Sequence, residues 1–145
     1  MEKYNSNCYG FVYAGLINSE DEFFKWREDL KLWKVIKKWS ISDCIENISD
    51  EIMEVFSDDS RHISVIELFD GNGMSQHVAF LTQDNKIYDQ DGPDGDIRNG
   101  NITLDTLLDE YSNKFTRHEL WKLSFEIHEL NEEEEKNVGN FINNL

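Results

Sequence analysis

Residues 77–91, HVAFLTQDNKIYDQD, decide how the chain is read, because they set a histidine and two aspartates on what look like neighbouring strands. Apolar and branched residues dominate both halves, and QDN between them is a short polar turn, so the segment reads as an antiparallel hairpin. If the turn is Gln83, Asp84 and Asn85, Thr82 pairs with Lys86. His77 then lies opposite Asp91, and Asp89 sits diagonally across from it on the same face. A two-residue turn would send Asp89 to the other face.

Upstream, HISVIELF at 62–69 is rich in branched residues and ends in DGNG, a Gly-containing turn signal, which makes it a strand antiparallel to the first half of the hairpin. Downstream, GPDGDIRNGN at 92–101 reads as a loop. TLDTLLDEY reads as a short helix with Thr103 at its N-cap. LWKLSFEIHEL alternates, with Trp121, Leu123, Phe125 and Ile127 facing one way and Lys122, Ser124, Glu126 and His128 the other, as a half-buried strand does. His62, His118 and His128 are expected to face solvent. The last segment, NEEEEKNVGNFINNL, is an acidic helix with Asn131 as its cap.

The first third reads as helical. Ser6 or Asn7 caps a helix that carries Phe11, Val12, Ala14, Gly15, Leu16 and Ile17, with Cys8 in its first turn. Its small residues, Gly10, Ala14 and Gly15, would let it approach a sheet closely. A second helix is signalled by Ser19 and the acids after it, with Phe23, Trp26, Leu30, Trp33 and Ile36 spaced by three and four. A third runs from Ser42 through Ile45, Ile48, Ile52, Val55 and Phe56. The expectation is one α+β domain over residues 1–145, N-terminal helices packed on an antiparallel sheet, with a helical insert at about 19–61.

Composition limits the function. Thirty acidic and 14 basic side chains give a formal net charge of -16, which repels nucleic acid and anionic membranes and attracts basic peptides or protein faces. No apolar run approaches the roughly 18 residues of a membrane span. No hydrophobic signal region opens the chain, and two cysteines, Cys8 and Cys44, make no disulfide framework. Together these place the protein in a reducing cytoplasm. The Cys and His spacings fit no zinc site, DQDGPDGD does not match a calcium loop, and no phosphate or dinucleotide motif is present, so no metal or cofactor is expected.

What remains is thiol chemistry. A thiol attacks as its thiolate and needs a base and a group to orient that base. Cys8 stands at a helix start, where unpaired N–H groups favour negative charge on sulfur and on an oxyanion. His77 is the candidate base and Asp89 the orienting group, with Asp91 as a substitute. The Cys8 N–H, helped by Asn5 or Asn7, would bind the oxyanion. Tyr9 and Tyr88 either line a substrate cleft or simply pack. Cys44, between Ile41 and Ile45, reads as structural.

A Cys at a helix start in NCYGFVYAGL, a His early in a strand, and a polar residue 12 positions later on the next strand resemble the NlpC/P60 branch of the papain-like superfamily. HVAFLTQDNKIYDQDGPDG also resembles a passage of several small papain-like proteins of bacteria and phages. The resemblance implies a cysteine peptidase or amidase, with Cys8 as nucleophile, His77 as base and Asp89 orienting the histidine. Where that branch carries DCSG, this chain reads NCYG. The contrasting expectation is an inactive acidic binding protein, an inhibitor or polyanion mimic that occupies a basic partner.

Overall fold

The computed structural model describes residues 6–21, 34–40, 52, 54, 56, 62–93, 95–115 and 123–145. Asn7 opens the first element. Its extended backbone and its side chain, which accepts from Gly10 N at 3.1 Å, cap helix α1, Cys8–Ile17. Asn18 closes the helix in the left-handed conformation, at φ 54. Between the caps, Cys8, Tyr9, Phe11, Val12 and Ala14 are all buried, as an almost wholly apolar helix must be.

Six strands follow: β1 Lys34–Ser40, β2 Ile63–Phe69, β3 Ser75–Thr82, β4 Lys86–Gln90, β5 Ile97–Thr103 and β6 Ser124–Glu129. Helix α2, Leu104–Phe115, joins β5 to β6, and α3, Glu132–Asn143, follows β6. The strands form one sheet in the order β1-β6-β2-β3-β4-β5, antiparallel at every pairing. The chain is therefore of the α+β class. No helix among the described residues is long and apolar enough to cross a membrane.

Strand alternation divides the core into two layers. Val65, Val78 and Phe80 pack with Phe11 and Val12 of α1 and Val138 and Phe141 of α3. Ile66, Leu68, Ala79, Leu81, Ile87, Phe125 and Ile127 pack on the other side with Ile52, Phe56 and Leu104, Leu107, Leu108 and Tyr111 of α2. Phe11 locks the first layer, with its ring 5.9 Å from that of Phe80 and 5.3 Å from that of Phe141.

The hairpin has the three-residue turn: Phe80 pairs with Tyr88 and Leu81 with Ile87, while Asn85, at φ 64, donates its N–H to Thr82 O. The Asp70–Gly73 turn closes through Asp70 Oδ1, which accepts from Asn72 N and Met74 N. Helix α3 has the full capping box, with Asn131 and Glu134 exchanging side-chain-to-backbone bonds. At the start of α2, Thr103 Oγ1 accepts from Thr106 N at 3.4 Å.

Two expectations fail. Residues 97–101 of the expected loop belong to strand β5, Ile97–Thr103, paired with β4 from Lys86–Thr103 to Gln90–Ile97. The helical spacing that ran to Ile36 gives way at Lys34 to strand β1, which pairs with β6. In both places, hydrogen bonding to a neighbouring strand outweighs local pattern. Of the third expected helix, Ile52 and Glu54 are helical and Ile52 and Phe56 buried. Asn5, Cys44, His118, Trp121 and the expected helix from Phe23 to Trp33 lie outside the described residues.

Gly15 sets how closely α1 lies on the sheet. A Cβ there would stand 2.6 Å from Phe80 Cζ, inside a layer with no slack. Ala is the better helix former by about 1 kcal/mol, but overpacking a tight core costs about 1–3 kcal/mol. We expect Gly15→Ala to lower the urea-unfolding free energy by about 1 kcal/mol or more. Any gain in stability would show that α1 is not in this contact.

Candidate functional site

The first turn of α1 is pinned from two strands. Tyr9 Oη and Ser75 Oγ share a 2.6 Å hydrogen bond at the start of β3. Gln90, at the end of β4, donates from Nε2 to Ser6 O at 3.1 Å and to Gly95 O at 3.4 Å. These anchors bring Cys8 to the end of the sheet where His77 lies. His77 shares its strand face with Ala79 and Leu81, and Asp89 shares its own with Ile87, so both project into the α2 layer. The three-residue turn is what puts them on one face.

His77 Nε2 and Asp89 Oδ2 are 2.6 Å apart, with the two residues 1% and 0% exposed. Nε2 being committed to Asp89, Nδ1 is the ring nitrogen left for Cys8, whose influence on the imidazole favours the protonated ring. That is the reverse of the serine-protease arrangement, where Nδ1 faces the aspartate. The Tyr111 ring covers the imidazole at a centroid distance of 5.1 Å.

Asp89 has a second partner that sequence reading missed. Arg98, directly opposite it on β5, donates from Nε to Oδ1 at 2.7 Å and from Nη2 to Oδ2 at 2.6 Å. Its Nη1 in turn reaches both Glu110 carboxylate oxygens on α2, at 3.0 and 2.7 Å. Arg98 was hidden in the presumed loop. Its sequence signal was slight: an arginine in a strongly acidic chain, two residues after Asp96.

Electrostatics follow from these contacts. Burial opposes a charge on His77, but the hydrogen bonds to Asp89 and Cys8, and the negative charge at both, outweigh it. His77 is pushed up from 6.5 to about 9. Burial likewise opposes ionised Asp89, and the bonds from Arg98 and His77 overcome it, holding the carboxyl below its usual range. Burial, then the charges at Cys8, Asp89 and Asp91, push the Tyr111 hydroxyl up, so it stays protonated.

The other expected site residues lie elsewhere. Asp91 is exposed, with its N–H bonded to Asp96 O, and Asp89 rather than Asp91 bonds His77. Asn7 Oδ1 is occupied as the α1 cap, while the Cys8 N–H has no acceptor within the helix. Tyr9 is buried, and half-buried Tyr88 lies against Gly100, where a Cβ would stand 2.8 Å from the Tyr88 hydroxyl. His62 is exposed as expected.

His128 is not solvent-facing but buried, with Nε2 2.8 Å from Glu67 Oε1 on β2. With Glu126 these residues bring three possible ligand atoms within 4.8 Å of one another and could hold a cation. Glu67 and His128 already pair through Nε2, and the register sets Lys38 opposite Glu126. Spacing rules for zinc miss such a cluster because its members come from two strands.

The chain matches no family model, no curated protein and no solved structure.

Because the folded pKa of His77 lies above the unfolded one, its protonation stabilises the fold fully below about pH 6.5, and the contribution is lost as pH rises through about 9. The contribution is on the order of 3 kcal/mol. Asp89→Asn removes the opposing charge and leaves burial unanswered. We expect the imidazole NMR midpoint of His77 to fall from about 9 to below 6.5 in that variant. A midpoint that stays near 9 would mean that Asp89 is not what holds the proton.

Proposed function

We propose that the protein is a small papain-like thiol hydrolase of NlpC/P60 type, acting in a reducing cytoplasm on a peptide, isopeptide or related amide bond. The observation that carries this reading is the grouping of Cys8, His77 and Asp89: a buried thiol at a helix N-terminus that favours the proton on a buried imidazole, whose Nε2 is held by a carboxylate at 2.6 Å. A thiolate at Cys8 and a proton on His77 support each other, so nucleophile and acid are ready together.

In the first step Cys8 Sγ attacks the substrate carbonyl carbon, forming the C–S bond. The negative charge moves to oxygen, where the Cys8 N–H and the helix dipole receive it. Protonated His77 then gives its proton to the leaving amine as the C–N bond breaks, which leaves a thioester. His77, now neutral, takes a proton from water, the resulting oxygen nucleophile displaces Cys8, and the acid is released. An amine in place of water makes the same machinery an acyl transferase. Asp89 keeps the ring oriented throughout. The net charge of -16 favours basic substrates and works against nucleic acid.

The closure of the site favours a second reading. Cys8 is 5% exposed and His77 1%, with Tyr111 over the ring. A scaffold kept for its shape and acidic surface, binding a basic partner, would need no access to the thiol.

The pH dependence of iodoacetamide alkylation at Cys8 separates the two, measured on wild type, His77→Ala and a Cys44→Ser control. A hydrolase alkylates at pH 6, and His77→Ala abolishes that reactivity. Turnover of any substrate would then fall as pH rises through about 9, where His77 loses the proton it delivers. An inert Cys8, or one behaving as an ordinary thiol of pKa about 8.5 whatever stands at position 77, removes the hydrolase reading.

A further inference from the structure

We propose that Arg98, braced by Glu110, is the positioning residue of this site: it fixes the Asp89 carboxylate in the plane and charge state that His77 requires. The inference rests on the thiol-hydrolase reading above.

Asp89 is wholly buried yet ionised. A carboxylate in that setting needs hydrogen bonds to both oxygens, and a single imidazole supplies one. Arg98 supplies the other two, Nε to Oδ1 and Nη2 to Oδ2, as a side-on fork. Oδ2 therefore accepts from Arg98 and His77 together. A fork of this kind fixes the rotation of the carboxylate as well as its position, which a point charge such as an ammonium does not.

The fork is itself held from outside. Arg98 is half of a cross-strand pair with Asp89, so β5 delivers it at the correct height. Glu110 grips the remaining Nη1 through both of its oxygens, and its side chain is 42% exposed. The charged and titratable groups around His77 are then Cys8 from α1, Asp89 from β4, Arg98 from β5, Tyr111 and Glu110 from α2, and Asp91 beyond β4. Among the described residues, Arg98 alone bonds the group that orients the base without bonding the base itself.

Two effects of opposite sign follow from Arg98. Its positive charge weakens the pull of Asp89 on the imidazolium, and its fork keeps that pull aimed at Nε2. Glu110 acts with one sign alone. Its negative charge offsets that of Arg98, and its grip holds the fork in place, so its loss lowers the proton affinity of His77 on both counts.

The test uses the full chain with Arg98→Lys and Glu110→Gln. Its readouts are the imidazole NMR midpoint of His77 and the Cys8 alkylation rate at pH 6.5, with far-UV circular dichroism and urea unfolding alongside. Arg98→Lys retains the charge and removes the fork. We expect it to lower the His77 midpoint and to slow alkylation about tenfold, as a misaimed orienting group does. Glu110→Gln, at a half-exposed position, lowers the midpoint in the same direction by less. A purely structural ion pair would change the unfolding midpoint and leave the His77 titration where it was. That result in both variants overturns the inference, and if Arg98→Lys does not fold, an unmoved titration in Glu110→Gln overturns it alone. Failure of the parent reading looks different: wild-type Cys8 would then be inert to iodoacetamide before any variant is made.

Discussion

A carboxylate with no exposure to solvent is the constraint around which this fold is arranged. Ionised Asp89 costs several kcal/mol to bury unless its charge is met by opposite charge and hydrogen bonds. His77 from β3 and Arg98 from β5 meet it from either side. Asp89 thereby ties three adjacent strands at one level, and a slip of one residue in either pairing would leave it buried and unpaired. The penalty for a wrong register is thus far larger than the gain from any single apolar contact in the same layer. Alternation then passes the result outward: with His77 and Asp89 fixed toward α2, Val78 and Phe80 are committed to α1.

That alternation also explains why a helix on one face can serve chemistry on the other. Helix α1 packs against Phe80, yet Cys8 is its first residue and stands where the sheet ends. Tyr9 bound to Ser75 and Gln90 bound to Ser6 hold the helix start at that edge. The close approach at Gly15 sets the depth of the helix, and the two hydrogen bonds set its rotation. Position and aim of the sulfur are therefore consequences of packing along the whole helix rather than of residues around the thiol alone.

Much of this was legible in the sequence, for a physical reason. The turn over Gln83–Asn85, the caps at Asn7 and Asn131, and the alternating β6 are local features whose chemistry lies within a few residues. The register argument that set His77 and Asp89 on one face needed only the length of a turn. What stayed hidden depends on distant partners. IRNGNIT in β5 alternates poorly and carries a glycine, because an edge strand borrows its order from β4. Residues 34–36 follow a helical spacing but are drawn into pairing with β6. His128 looked like a polar face position because its partner, Glu67, is 61 residues away. Arg98 was lost with β5, and with it the reason Asp89 can remain charged.

The same network separates two electrostatic properties that the composition alone would confuse. From His77 through Asp89 and Arg98 to Glu110, opposite charges alternate, so the buried groups are neutralised by their neighbours. Among the described residues, acids such as Glu132 and Glu133 in the first turn of α3 are exposed, where water and salt screen them beyond about 8 Å at physiological ionic strength. A chain carrying -16 charges would otherwise push every buried histidine toward protonation in proportion to its net charge. Here the proton on His77 is governed by contacts a few ångströms away.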